Sequence, residues 1–390
     1  MSILLTITIA LLVTFVGART ATHFKYPPIL GQFIASLFLA VPLIKNNIFT
    51  PESAAAIETF AELAIIFLLL LTGLVTDIDR INQCKKKSIL TAVFGSLIPL
   101  FLGTAAGYTM GFPLITSIVL GISLSITAEG ANMAILLQLK KVKTKVGSIL
   151  ISAGMLDDIF GMIYLAIILI LANRNNITTL FLFPVKLFIF IGIVWAASKI
   201  IPSVLSLFEK KRKDIAMFNV VILSALILAI FSELAGLSAI VGAFIAGIIL
   251  QKSFKLKKDE KYEEHEMETF LFGFIIPFFF INIALNFDFR SLAQEPLLIL
   301  IVFSIAIAGK MAGALLVKLF DHLSWKQAYL IGWGMNSRGV IELVIANIAL
   351  KTGLISTALY SAIVMMAILT TIVSLFFIRN IIKNDPKITS

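Results

Sequence analysis

The chain is predicted to be an all-α polytopic membrane protein with about 13 transmembrane helices, built as inverted repeats with two crossing broken helices. Three observations predict this. Of its 390 residues, 59% are hydrophobic and 14% charged, at a mean hydropathy of +1.03, whereas soluble domains carry about 25% charged residues. Apolar runs long enough to cross a bilayer recur from one end of the chain to the other. When these runs are threaded through a membrane, the basic residues fall almost wholly on one side.

The predicted spans cover residues 2–17, 27–44, 54–76, 88–108, 112–138, 146–172, 178–200, 215–234, 237–251, 267–286, 295–320, 326–352 and 355–379, with a tail at 381–390. They leave room for loops but for no soluble domain, so residues 1–380 read as a single transmembrane unit. The first run has no basic segment ahead of it and no small-residue cleavage site, and is read as a retained helix. Cys84 is the only cysteine, which excludes an intramolecular disulfide and any cysteine-only metal cluster.

With the N-terminus outside and the C-terminus cytoplasmic, 25 of the 32 Lys and Arg residues lie in cytoplasmic connections and the tail. Only Lys45, Arg174, Arg290 and Lys351 lie outside. The positive-inside rule thus accounts for the net charge of +10. That charge is assigned to topology and to anionic lipids at the cytoplasmic face, not to nucleic acid. The expected location is the cell (plasma) membrane. Three basic residues remain within spans: Lys186, which is near enough to an interface to snorkel, and the central Lys310 and Arg338.

The fifth span is interrupted by Ser123-Leu-Ser125-Ile-Thr127-Ala-Glu129-Gly130, and the twelfth by Gly332-Trp-Gly334-Met-Asn336-Ser-Arg338-Gly339. The two lie seven spans apart and therefore run in opposite directions. Paired broken helices in inverted repeats point to a transporter's binding site. The same pairing matches the sixth span with the thirteenth and the fourth with the eleventh.

The sixth span carries Asp157 and Asp158 near the bilayer midplane. On insertion scales, one ionised carboxylate there costs about 2.5–3.5 kcal/mol. Neighbouring positions on a helix point about 100° apart, so the two cannot both face one partner. One can pair with a cation such as Lys310 while the other looks into a water-filled cavity, and the two are expected to titrate as a coupled unit. Ser125, Thr127 and Glu129 offer oxygen ligands for a hard monovalent cation. Arg338 and Glu342, at i and i+4, are suited to balance half-helix dipoles or to pair with each other. Glu62 reads as structural.

His23, His265 and His322 fall in predicted loops, too scattered to suggest a metal site. There is no phosphate-binding glycine loop, nucleophile elbow or zinc spacing. No enzymatic activity and no cofactor are expected. A cation channel and a carrier of organic anions on a similar scaffold are the alternatives to cation–proton exchange.

At these residues the sequence resembles the monovalent cation:proton antiporter-2 family. The resemblance rests on Tyr26-Pro-Pro-Ile-Leu-Gly31, the run from Ala61 to Leu74, Leu156-Asp157-Asp158, the run from Gly236 to Gly247, Ile276-Pro-Phe-Phe-Phe280, Gly309-Lys310 and Arg338-Gly-Val-Ile-Glu342. It implies a homodimer working by elevator-type alternating access, with a core at about 88–172 and 295–379 and a dimerisation panel at about 2–76 and 178–286. It further implies that Asp158 binds the transported Na⁺ or K⁺, that Asp157 pairs with Lys310, and that exchange is electrogenic. The chain departs from the family pattern at Gln32 and Val75, where many relatives carry Glu. It departs again at Glu129, where they carry a small or hydroxyl residue.

Overall fold

Each predicted apolar stretch is helical over most of its described residues in the structure, a computed structural model that describes residues 2–76, 86–127, 129–172, 177–209, 214–235, 237–255, 269–320, 323–385 and 387–389. The helices, in chain order, are α1 (Ile3–His23), α2 (Pro28–Leu39), α3 (Pro42–Ile48), α4 (Pro51–Val75), α5 (Lys86–Thr109), α6 (Leu114–Ser125), α7 (Glu129–Gln138) and α8 (Lys145–Ala172). There follow α9 (Ile177–Glu209), α10 (Asp214–Leu234), α11 (Ala239–Lys255), a π-helical turn at Leu271–Ile275, α12 (Ile276–Asn286), α13 (Phe289–Gln294) and α14 (Pro296–Phe320). The last three are α15 (Trp325–Met335), α16 (Val340–Lys351) and α17 (Thr357–Asn384).

Local chemistry sets many of these limits. Ser324 and Gln327 form a reciprocal capping box at the start of α15, and Ser356 caps α17 by accepting from the Leu359 N–H. Gly353, at φ 70°, ends α16 in the left-handed conformation that glycine adopts at least cost. The predicted span 27–44 is not one straight helix. It bends by 83° between α2 and α3, because Pro42 offers no N–H to the helix before it and forces Val41 to an extended ψ of 126°. Residue 23 also differs from expectation: α1 runs six residues past its predicted end, so His23 closes a helix and does not lie in a loop.

By length and apolarity, eight helices among the described residues are fit to cross a membrane, and the bent α2–α3 pair makes nine. The shorter apolar helices Phe218–Leu234, Ala239–Ser253 and Leu271–Asn286 fall below that measure, so the predicted count of 13 crossings is not reached by this criterion. Both breaks are narrower than predicted. Helix α6 continues through Ser123 and Ser125, because the Ser125 hydroxyl bonds back to the Ile122 carbonyl and needs no helix break. Likewise α15 continues through Gly332 and Gly334 and ends only at Met335.

The chain divides into two compact units. One comprises Met1–Thr50, Asp79–Ile168 and Ile283–Ser390; the other comprises Pro51–Ile78 and Leu169–Asn282. In the first, α5 packs along both α6 and α14. Small residues permit that approach: a Cβ on Gly313 would sit 2.6 Å from the Phe94 carbonyl oxygen, and one on Gly309 would sit 2.9 Å from Pro99 Cα. Residues of α8, α15 and α17 share an apolar cluster that includes Leu150, Leu330, Trp333 and Ile378. Ile388 joins it, and the Val146 N–H donates to the Thr389 carbonyl at 3.2 Å, which fixes residues after α17 against the first turn of α8. In the second unit, α4 packs closely on α11, and Phe60 stacks on Phe278 at 4.7 Å.

Candidate ion-exchange site

Asp157 and Asp158 are the thirteenth and fourteenth of the 28 residues of α8, and both are buried. Asp157 is 1% exposed and Asp158 7%. The depth follows from their neighbours, since Ile149, Leu150, Ile151, Ala153 and Met155 of α8 lie in the buried apolar cluster, with Leu156 and Phe160 packed against it.

Lys310 lies fully buried in α14 and makes three contacts. Its Nζ is 3.1 Å from Asp157 Oδ2, donates to Thr127 Oγ1 at 2.6 Å, and donates to the Ser125 carbonyl. The ammonium therefore binds α8 and the end of α6 at once. Its three donors are all used, as burial of an ammonium requires. Among the described residues, Asp157 Oδ1 accepts no hydrogen bond.

The crossing of the two broken helices supplies the rest. After α6 the chain is extended at Ile126, with φ −82° and ψ 146°, and helix resumes as α7 at Glu129. After α15 it passes through Asn336, Ser337 and Arg338 to the extended Gly339 before α16 begins. Thr127 donates to the Met335 carbonyl at 3.1 Å, and Asn132 Nδ2 donates to the Gly334 carbonyl at 2.7 Å. The C-terminal carbonyls of α15 are thus met by neutral groups, among them Ser374, whose hydroxyl lies 2.5 Å from the Trp333 carbonyl.

The end of α6 is met by cations. Arg338 Nη1 donates to the Leu124 and Ile126 carbonyls at 2.7 and 2.8 Å, and Lys310 takes the Ser125 carbonyl between them. The negative end of the α6 dipole is therefore neutralised by two buried positive charges. Glu342 lies one turn beyond Arg338, 3.9 Å from its Nη1, which is a loose ion pair. Among the described residues, neither Glu342 oxygen accepts a hydrogen bond. The Arg338 backbone is fixed separately, its N–H donating to Thr371 Oγ1 on α17 at 2.9 Å.

Among the residues singled out in the sequence, Asp157, Asp158, Ser125, Thr127, Lys310, Arg338 and Glu342 all lie in this one unit. Glu129 opens α7, but its side chain lies outside the described residues, as do those of Lys186, His265 and His322. Glu62 lies on α4 in the other unit with an exposed side chain. Sequence reasoning missed Asn132 and Thr371. Neither has a charge to mark it, and only the fold reveals which carbonyl or N–H each meets.

Among the described residues, no cluster of three His, Cys, Asp or Glu side chains could hold a metal ion. The oxygens gathered at the crossing around the Lys310 ammonium are the Asp157 carboxylate, the Thr127 hydroxyl and the Ser125 carbonyl. Such a set suits a weakly held monovalent cation, with protons exchanging at the carboxylates.

Comparison with known proteins agrees with that arrangement. A Na⁺/H⁺ antiporter of Enterococcus hirae is 28% identical over 96% of each chain. The Na⁺/H⁺-K⁺ antiporter GerN of Bacillus cereus is 27% identical, covering 94% of this chain and 93% of that one. The fold is shared with the sodium proton antiporter MjNhaP1 of Methanocaldococcus jannaschii, at a TM-score of 0.70 over 95% of this chain and 94% of that one, with 16% identity. The transmembrane sodium/hydrogen exchanger family matches residues 7–381, so this chain is a multi-pass membrane transporter, not an enzyme, and belongs to that family.

Proposed function

We propose that the protein is a secondary active antiporter that exchanges a monovalent cation, Na⁺ or K⁺, for H⁺. The observation that carries this reading is the pair Asp157–Asp158 in the middle of α8, with Lys310 bridging Asp157 to the broken end of α6. An organic-anion carrier would want uncompensated positive charge here, and Lys310 and Arg338 are both engaged by carboxylates and carbonyls. The relatives named for Na⁺/H⁺ and Na⁺/H⁺-K⁺ antiport support the choice of cation class.

Asp158, the more exposed of the two aspartates, is assigned as the cation ligand. Asp157 is assigned as the proton-linked partner of Lys310, with Ser125, Thr127 and Glu129 supplying oxygens nearby. As a cation enters at Asp158, protons leave the carboxylates; reprotonation on the other side restores the starting state. The cycle moves more than one proton per cation and is electrogenic. Alternating access is of the elevator type, with residues 88–172 and 295–379 as the moving core; residues 88–168 and 295–379 share one compact unit, although that unit also takes in Met1–Thr50 from the expected panel. A homodimer in the plasma membrane, N-terminus outside and C-terminus cytoplasmic, completes the reading; anionic lipids are expected at its basic cytoplasmic face.

The test is flux in proteoliposomes under an imposed pH gradient, with Na⁺, K⁺ and Li⁺ compared and the membrane potential clamped or free. Cation-driven proton movement is expected in the wild type and absent in Asp158→Asn. Full activity in that variant overturns the site, and flux indifferent to the clamp overturns electrogenicity. Currents without obligatory proton countermovement indicate a channel.

A further inference from the structure

We infer that the groove between α1 and α2 is a binding site for one anionic phospholipid, with an acyl chain lying along Gly17 and Gly31 and the headgroup held by Arg19 and Lys25. The inference goes beyond the exchange reading. It shares with that reading only the expectation of anionic lipid at the basic face of the protein, to which it gives a site.

The groove has a volume of about 560 Å³ and is lined by α1 between Leu12 and Phe24, by α2 between Leu30 and Phe38, and by Ile372 of α17. Sites that enclose a small-molecule ligand run to about 300–1,000 Å³. Small residues bring the two helices together: a Cβ on Gly31 would lie 2.1 Å from the Gly17 carbonyl oxygen and 2.6 Å from Ala21 Cβ. Around that crossing stand Leu12, Val16, Phe24 and Phe38, all lining the groove and all exposed. The Thr20 hydroxyl in the wall donates to the Val16 carbonyl at 2.8 Å, so its proton is already spent within the helix. A wall of this kind accepts an apolar occupant.

The two ends of the groove differ in charge. Between Ile3 and Ala18 there is no charged residue. Arg19 and His23 follow Leu12 and Val16 by seven residues each, so they continue the same ridge of α1 past the apolar wall. Lys25 stands in the turn after α1, at φ 63°, beside Tyr26 of the lining. Arg19, His23 and Lys25 are exposed, and no Asp or Glu precedes Glu52, so α1 and α2 bring no carboxylate to neutralise them. From Leu12 to Phe24 the helix rises about 18 Å. That is close to the hydrocarbon depth of one leaflet, about half of 30 Å. A lipid of that leaflet with its chain in the groove has its phosphate at the basic end, where Lys and Arg attract anionic headgroups. A second copy of the chain fits worse, because a twofold contact through this groove would turn the same uncompensated cations towards each other.

The experiment titrates the full chain, purified in detergent, with phosphatidylglycerol or phosphatidylcholine and counts bound lipid by native mass spectrometry. Wild type is expected to hold one phosphatidylglycerol about 25-fold more tightly than phosphatidylcholine, from about fivefold for each of two charges. Arg19→Gln and Lys25→Gln should each lose about fivefold in affinity for phosphatidylglycerol and nothing for phosphatidylcholine. Val16→Trp, which fills the groove, should weaken the binding of both lipids. All three side chains are exposed, so the variants should melt with the wild type. Equal affinity of the wild type for the two lipids overturns the proposal. Phosphatidylglycerol held equally by the wild type and all three variants puts the lipid elsewhere on the basic face, which overturns the groove and leaves the broader expectation standing. Lipid binding unchanged in Val16→Trp, together with loss of a dimer, makes a second copy the occupant and likewise overturns the lipid site.

Discussion

Lys310 Nζ and Thr127 Oγ1 are 2.6 Å apart, and the same hydroxyl gives its proton to the Met335 carbonyl. One threonine thus joins the buried ammonium of α14 to the end of α15, across the extended segment between α6 and α7. Valine has nearly the same shape and neither function. Thr127→Val should leave Met335 without its donor and Lys310 with one fewer acceptor, at a cost of about 1–3 kcal/mol for a buried group left unpaired. Thermal melting in detergent measures this, and Thr127→Ser, which keeps the hydroxyl, should recover most of the loss.

Arg338 spends Nη1 on two carbonyls of α6 while Glu342 stays 3.9 Å away. Arg338→Met removes both donors and leaves Glu342 as a buried carboxyl with its cation gone. Removal of one member of a buried charged pair costs about 3–5 kcal/mol. The variant should melt lower than wild type, and Glu342→Gln on the same background should restore part of that stability. If the double variant melts lower still, the charge balance proposed for this crossing is wrong.

Much of the crossing was legible in the sequence because charge in an apolar run has few explanations. Asp157, Asp158, Lys310 and Arg338 stand out against Leu and Ile for that reason, and the structure brings Asp157 to Lys310. The helices that the sequence pairs across the expected repeat share a length. Both α8 and α17 have 28 residues, and where α8 carries Asp157-Asp158, α17 carries Thr370-Thr371 at nearly the same register. What could not be read was the extent of each break. Serine and glycine within an apolar run read as interruptions, yet Ser123, Ser125, Gly332 and Gly334 stay helical: the Ser125 hydroxyl bonds back to its own helix, and the glycines admit close neighbours. The bend at Pro42 was legible from Pro alone and was passed over because the apolar run continues through it.

Away from the site, Asp288 caps α13. The Ser291 hydroxyl at 2.7 Å and the Arg290 N–H at 2.9 Å hold its carboxyl below the usual carboxylate range. A carboxyl depressed on folding contributes stability above its unfolded value of about 4, and that contribution is lost as pH falls through the folded value. The group is close to solvent, so the effect is small. Asp288→Asn should lower the melting temperature slightly at neutral pH, where the ionised carboxyl contributes, and flatten the acid side of the profile below about pH 4. A variant profile that parallels wild type at acid pH shows that the cap does not respond to protonation.

Lys310 and Asp157 allow the sharpest separation of fold from function. Lys310→Met leaves Asp157 buried with no cation at 3.1 Å and should destabilise the protein by about 3–5 kcal/mol. Asp157→Asn/Lys310→Met replaces the pair with a neutral amide and an apolar chain of similar length, and should recover most of that loss, since a buried ion pair contributes little net stability over well-packed neutral residues. Wild-type proton coupling should not recover with it. With Asp158 retained, the double variant is expected to bind Na⁺ but to move fewer protons per cation, so its flux should respond less to a clamped membrane potential than that of the wild type. Melting temperature and voltage-dependent flux on these three proteins decide the matter. If the double variant keeps the wild-type voltage dependence, the Asp157–Lys310 pair is scaffolding and the coupled proton is carried elsewhere in the crossing.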